Sequence, residues 1–345
     1  MDLKSLLTKI DKQGGTELHL KIGSPPLVRQ NRFLRKVDLP AVTSDDLKEV
    51  ISKTLPADLQ KRISSQRFTE VNVFGEPPCN FRLQLLQAQG EFCIIIKLIP
   101  KRVPGFPEIG LPFAIEPLTK AAMGLFIIAG PARSGISTSL ASFVERINQN
   151  RSAHILVIED PIEYTFEPKK SKISHRQFSK DIPSVEQGIN FAKRMDVDIL
   201  VLGDLKRELP FRNILDYVGG GHFVVLSMQT LGVQNTVEKI LYSFPEVDRE
   251  HAANVLGHNL LGICSQALLH SPSENRMVPI HEVMIVNNML RQIIQKGRTN
   301  QIDPNLRAGG EGCQVFDASL GKYLRDQVLP KNSVDAFLAG YRGTK

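Results

Sequence analysis

The rhythm of apolar and polar positions changes once along the chain. Over the first hundred residues apolar positions come in short runs of mixed period. MDLKSLLTKIDKQGG carries charges inside a helical apolar pattern and predicts an amphipathic helix, not a secretory signal. GTELHLKIGSPPLVRQNRFLRKVDLP alternates apolar and polar residues and is broken by Gly-Ser-Pro-Pro, which predicts strands with turns. Ser44–Leu59 reads as a helix opened by Thr43, Ser44, Asp45 and Asp46 as cap and first-turn residues. FRLQLLQAQGEFCIIIKLIP predicts two strands joined near Gln89-Gly90.

A Pro- and Gly-rich stretch, KRVPGFPEIGLP, then separates this region from one of different character. Beyond it, short continuous apolar runs at Leu125–Ala129, His154–Ile158, Asp198–Leu202 and His222–Leu226 predict buried strands with helical stretches between them. A glycine-bearing turn and a helix over about Ser137–Asn148 follow the first run. Strand, turn and helix in alternation predict an α/β domain with a mostly parallel sheet. From about Val247 a helical period dominates, over HAANVLGHNLLGICSQALL and VNNMLRQIIQKG. The expected division is residues 1–100, a linker at 101–112, an α/β core at 113–270 and a helical region at 271–345.

Composition narrows the class without naming it. The 345 residues, 42% hydrophobic and 23% charged, exclude a fully disordered chain. The longest apolar run, Ala121–Gly130, is about half of the ~20 residues a membrane-spanning helix needs. The four cysteines (Cys79, Cys93, Cys264, Cys313) form no C-x-x-C pair, which argues against structural zinc and fits a reducing, cytoplasmic setting. A formal charge of +7 points to an anionic partner, and an aromatic content of 6% with no Trp argues against a base-stacking surface.

The segment GLFIIAGPARSGISTSLASF carries the candidate chemistry. A strand runs into Gly130-Pro131-Ala132-Arg133-Ser134-Gly135-Ile136-Ser137-Thr138 and then into a helix, the context of the phosphate loop G-x-x-x-x-G-K-S/T. Glycines let backbone N–H groups curl around phosphates at a helix N-terminus, lysine supplies a full charge to the β- and γ-phosphates, and the hydroxyl binds magnesium. Gly130, Gly135 and Ser137 match, while Ile136 stands at the lysine position; Arg133 is a nearby cation at a different place on the loop. By itself the segment also fits an ordinary Gly-Ser turn.

Five blocks in order extend the match. TELHLKIGSPPLVRQNRFLRKV, the loop just described, ILVIEDPIEYTFEPKKSKISHRQF, RMDVDILVLGDLKRE and GGGHFVVLSMQTLGVQNTVEKILYSFP resemble, nearly end to end, the secretion-type traffic ATPases, and among them the type IV pilus retraction ATPases. LLGICSQALL and HEVMIVNNMLRQIIQKG resemble that group's C-terminal segments. The resemblance implies an N-terminal PAS-like domain, a RecA-like phosphate-loop ATPase core and a helical C-terminal region. It implies nucleotide contacts from Gly130, Arg133, Ser134, Gly135, Ile136, Ser137, Thr138 and Arg82, magnesium at Ser137 and Asp160, and catalytic carboxylates at Asp204, Glu159 and Glu163.

Departures from the family pattern fall on charged positions. Ile136 replaces the lysine, and Asp204 replaces the Walker B glutamate, drawing its carboxylate back by roughly 1.5 Å, where ~1 Å of misplacement can cost ~100-fold in rate. Met195 replaces an acid, Lys206-Arg207 stands for Arg-Asp, and Gln229 replaces a histidine, while His222 is kept. Of the N-terminal arginines, expected at Asn80, Arg82 and Gly90, only Arg82 remains, and Lys97 replaces a later one. Glu159, Asp160 and Glu163 are intact; they read either as site acids or as a shaped strand end with a local ion pair. The expectation is a pseudo-ATPase or weak ATPase that modulates a pilus motor ring, with weak binding of ATP or ADP and Mg²⁺; the alternatives are an active ATP-hydrolysing retraction motor and a nucleotide-independent scaffold or regulator of motility. Its expected partners are PilT-type subunits in a homo- or hetero-hexamer and an inner-membrane pilus platform protein, at the cytoplasmic side of the membrane. No nucleic-acid partner is expected, since the basic run Lys169-Lys170-Ser171-Lys172 reads as a solvated loop.

Overall fold

The computed structural model describes residues 2–31, 33–55, 57, 60, 68–73, 80–88, 91–100, 102–178, 180–203, 205 and 209–343. The chain divides into two compact units, Met1–Arg102 and Val103–Lys345.

In the first unit the alternating segments pair as an antiparallel sheet. Helix α1 (Leu3–Lys12) precedes β1 (Gly15–Lys21), β2 (Leu27–Gln30) and β3 (Phe33–Lys36); α2 (Ser44–Thr54) precedes β4 (Phe68–Val73), β5 (Asn80–Ala88) and β6 (Glu91–Ile99). Among the described residues the strand order is β3-β2-β1-β6-β5-β4, with every neighbour antiparallel. Thr43 and Asp46 form a reciprocal capping box at the start of α2. Leu6, Leu7 and Ile10 of α1 and Leu47 and Val50 of α2 pack with Leu18, Leu20, Leu83, Ile94 and Ile96 of the sheet. The charged positions of α1 therefore form its outer face, as its mixed pattern predicts.

In the second unit a 3₁₀ turn (Phe113–Lys120) leads to β7 (Gly124–Ala129) and α3 (Ile136–Asn150). There follow β8 (His154–Glu159), β9 (Lys172–Gln177), α4 (Val185–Arg194), β10 (Ile199–Gly203), α5 (Phe211–Gly219), β11 (Phe223–Met228), α6 (Val233–Tyr242) and α7 (Glu246–Asn259). The unit closes with β12 (Leu260–Ser271), β13 (Arg276–Ile285), α8 (Asn288–Gln295), α9 (Ile302–Arg307), α10 (Phe316–Arg325) and α11 (Lys331–Gly343). Among the described residues the sheet order is β13-β12-β7-β11-β10-β8-β9, parallel throughout except for the β12–β13 hairpin.

Both faces are covered, which is why these strands read as continuous apolar runs. Leu125, Ile127 and Ala129 of β7 face the core shared with α4 to α9, whereas Phe126 and Ile128 face Leu140, Phe143 and Ile147 of α3. One expectation is corrected here. LLGICSQALL is strand β12, not helix, and the sheet runs on through β13 to Ile285, past the expected boundary at residue 270. Its apolar run was compatible with either period; pairing on both sides, with β7 and with β13, decides for strand. Beyond Ile285 the described elements are helical, as expected. Strand β12 enters the sheet through an irregularity: Leu260 pairs with Leu125 but Gly262 with Phe126, so Leu261 is the extra residue of a bulge.

Candidate functional site

Parallel strands place the loops at their carboxyl ends along one edge, and the candidate residues gather there. β7 ends at Ala129 and delivers Gly130–Gly135; β8 ends at Glu159, paired with Gly203 at the end of β10; β11 ends at Met228, paired with Ala129, and delivers Gln229. The catalytic candidate Asp204, with Lys206, Arg207 and Gly90, lies outside the described residues.

The loop is fixed by backbone geometry and by what stands behind it. Gly130 donates its N–H to the Met228 carbonyl, and Gly135 caps α3 with φ +85°, the left-handed region that favours glycine. Arg133 also takes a positive φ, +64°. A Cβ on Gly130 would come within 2.3 Å of the Gln266 carbonyl oxygen and 2.4 Å of Ser134 Oγ, and one on Gly135 within 2.9 Å of the Gln266 amide nitrogen. Both glycines therefore serve close approach to β12. Among the described residues no side chain caps the first turn of α3, so its N-terminal N–H groups are left for an anion. Ser134 is buried and its hydroxyl has no partner among the described residues. Shape, orphaned donors and helix end together fit a phosphate group.

The charge does not. Ile136 is half-buried and packs against the cluster containing Phe126, Ile128, Leu140 and Phe143, adding no cation at the mouth of the loop. Ser137 and Thr138 follow on the first turn, both half-buried.

The acids lie beside this turn. Glu159 and Glu163 are buried, and Tyr164 donates to or accepts from Thr138 Oγ1 at 2.9 Å. Burial, followed in weight by the nearby carboxylates of Glu163 and Glu159, pushes the Tyr164 phenol up to about 12 against the opposing Thr138 hydrogen bond. The Glu159 carboxylate also reaches the end of β10, 2.7 Å from where a Gly203 Cβ would stand. Asp160, joined to Pro161 by a cis peptide, accepts from Gln177 Nε2 at 3.4 Å. Tyr164 was given no role by sequence reasoning; its position one residue after Glu163 in the acidic block was the available signal.

Other candidates lie elsewhere. His222 precedes β11, at the opposite end of the strand from Gln229, and stacks on Tyr217 at 4.1 Å between ring centroids. Six residues of β7 and β11 separate the two ends, ~20 Å at ~3.3 Å per residue. Gln229 is exposed, and its carbonyl accepts from Lys239 at 3.1 Å. Met195 caps the end of α4 and is exposed. Arg82 belongs to the first unit, where it is buried on β5 with its Nε 3.9 Å from Glu70. Lys169 pairs with Glu145, while Lys170 and Lys172 are solvent-exposed.

Sheet, loop and flanking acids define the class: an α/β phosphate-loop protein with its candidate site at the carboxyl ends of parallel strands. Residues 105–272 match the family described as type II/IV secretion system protein. The chain is 29% identical over 307 residues to the twitching motility protein of Neisseria gonorrhoeae, covering 88% of this chain and 82% of that one. It is 28% identical over 323 residues to the type IV pilus retraction ATPase PilT of Pseudomonas aeruginosa, covering 93% of each. The crystal structure of the pilus retraction motor PilT with bound ADP superposes with a TM-score of 0.85 at 26% identity, covering 96% of both chains. Over most of its length the chain is thus similar in sequence and fold to PilT-type proteins, with residues 105–272 matching the type II/IV secretion system family. Among the described residues no helix is long and apolar enough to cross a membrane.

Proposed function

We propose that this chain is a PilT-like component of a type IV pilus twitching or retraction apparatus whose nucleotide site has lost most of its catalytic power. One observation carries the reading: at the position where a phosphate loop places lysine, Ile136 turns its side chain into the hydrophobic cluster beneath α3. Gly130, Arg133, Ser134, Gly135, Ser137 and Thr138 would hold the phosphates of ATP or ADP. Ser137 and Asp160 would hold Mg²⁺, which when bound offsets phosphate charge. Glu159, Glu163 and Asp204 are the residual catalytic carboxylates. Buried acids facing a loop without its lysine repel a polyphosphate, so binding is weak and leans on the metal. The chain would assemble as a homo- or hetero-hexamer with PilT-like subunits, its PAS-like domain joined to the RecA-like core by a linker at 101–112. It would work at the cytoplasmic face of the inner membrane against a pilus platform protein and adjust a motor ring without driving it.

The intact pair Glu159 and Glu163 beside Thr138 favours a second reading, a slow but genuine retraction ATPase. Purified full-length protein assayed for ATP binding and hydrolysis separates the two. Turnover like that of an ordinary motor, abolished by Asp204→Asn, refutes the weak-site reading.

A further inference from the structure

Strand β12 was expected to be helical, and its side chains carry a contact set that the phosphate-loop pattern does not contain. Gln266 is 3% exposed and lies directly behind the loop. Its Nε2 donates to the Ser134 carbonyl at 2.6 Å. A carbonyl can only accept, so this contact fixes which end of the amide is nitrogen. Oε1 must then accept, and two groups reach it: the Ser139 hydroxyl at 2.7 Å and His281 Nε2 at 3.2 Å. His281 is consequently the Nε2–H tautomer. It is paired with Gln266 across the β12–β13 hairpin and is itself 3% exposed. The amide thus ties the middle of the loop, through Ser134, to the first turn of α3, through Ser139. Gly130 and Gly135 lack the side chains that would block it.

We infer that Gln266 is a positioning residue: it holds Gly130–Ser137 in a phosphate-cradling contour from behind, without a ligand and without the lysine. The inference rests on reading this segment as a phosphate loop. Two consequences follow. Replacing the lysine by Ile136 removes charge but leaves the contour, because the contour is templated by β12. Loss of the Gln266 contacts releases the loop while the sheet stays paired, since β12 keeps its backbone bonds to β7 and β13.

The test is hydrogen exchange on the full chain, comparing wild type with Gln266→Met, which keeps length and removes both polar atoms. Exchange at Ser134 and Ser139, whose N–H groups donate to the Pro131 and Gly135 carbonyls, is expected to rise ~10-fold, the loss of a typical hydrogen bond or two, with β10 and β11 unchanged. Gln266→Glu, which keeps an acceptor for Ser139 but removes the donor to Ser134, should release the same amides. A second measurement uses fluorescent ADP with Mg²⁺ in an Ile136→Lys background. There Gln266→Met should weaken binding ~10-fold while the protein still melts in a single cooperative transition, and Ser139→Ala should weaken it less. Unaltered loop exchange in both Gln266 variants overturns the inference, as does global unfolding of both, which would make the residue part of the core. If the loop is released as expected but Ile136→Lys alone binds no ADP, the positioning role stands and the nucleotide reading fails.

Discussion

Ile136→Lys is the substitution that most directly separates a lost charge from a lost pocket. The side chain it removes is half-buried against Phe126, Ile128 and Leu140. Full burial of an Ile stabilises by about 1.5–3 kcal/mol, so half of it is worth about 1 kcal/mol. The four-carbon lysine stem can cover part of the same surface while its ammonium reaches solvent, which reduces the loss further. The gain is a charge-assisted contact to phosphate oxygen, about 1.5–3 kcal/mol, or ~10- to 150-fold in affinity at 1.4 kcal/mol per decade. Titration of wild type, Ile136→Lys and Ile136→Met with fluorescent ADP in Mg²⁺ reads this directly. The lysine variant should bind ~10- to 150-fold tighter than wild type, and the methionine variant should not differ from it. The gain should shrink as salt is raised, because its origin is charge. A folded lysine variant that binds no more tightly than the methionine variant would refute the claim that the loop is shaped for phosphate.

Gly130→Ala forces a Cβ to 2.3 Å from the Gln266 carbonyl oxygen, backbone that cannot step aside, and should destabilise by about 1–3 kcal/mol in urea unfolding. Tyr341 on α11 donates to both oxygens of the buried Glu282, at 2.9 Å each, and Glu282 also accepts from the Val233 N–H at 2.8 Å. Tyr341→Phe strips those phenolic contacts and should cost about 1.5–3 kcal/mol, measured as a shift of the urea midpoint at unchanged m-value. Burial pushes both His281 and His175 down to about 4, below the ~6.5 of the unfolded chain. The unfolded state therefore binds more protons between those values, so stability is full above pH ~6.5 and falls as pH drops towards 4, by about 1.4 kcal/mol per pH unit for each histidine. Unfolding midpoints at stepped pH should show that slope, and His175→Phe, whose ring partner Phe166 lies 5.6 Å away, should halve it.

The strands of the second unit and the loop after β7 were legible because burial on both faces writes a continuous apolar run, and because the glycine pair stands between such a run and a helical pattern. The acids at Glu159 and Glu163 were legible as a block, though not the phenol between them and Thr138. β12 was not legible. Its apolar residues, broken only by Ser265 and Gln266, follow no clear period, and the preceding helix α7 supplied one by continuity. With the strand missed, Gln266 and His281 had no face to belong to, and the contact of Gln266 with Ser134, 132 residues apart in sequence, left no local trace.

The bulge at Leu261 has a meaning that goes beyond local geometry. Alternate residues of β12 serve different clients: Gln266 backs the loop before α3, while Ser265, on the opposite face, accepts from the Gly232 N–H at 2.8 Å at the start of α6. Across the hairpin His281 and Glu282 repeat the same division. The extra residue sets the phase of that alternation against β7. Ironing out the bulge, so that Leu261 paired with Phe126, would set everything after it back by one position, and the two faces would trade addresses. Ser265 would then stand behind the phosphate loop and Gln266 on the face towards α6, with the composition of the strand unaltered. The identity of the site is thus partly a matter of counting, stored in the parity of a strand as well as in the residues that face the ligand.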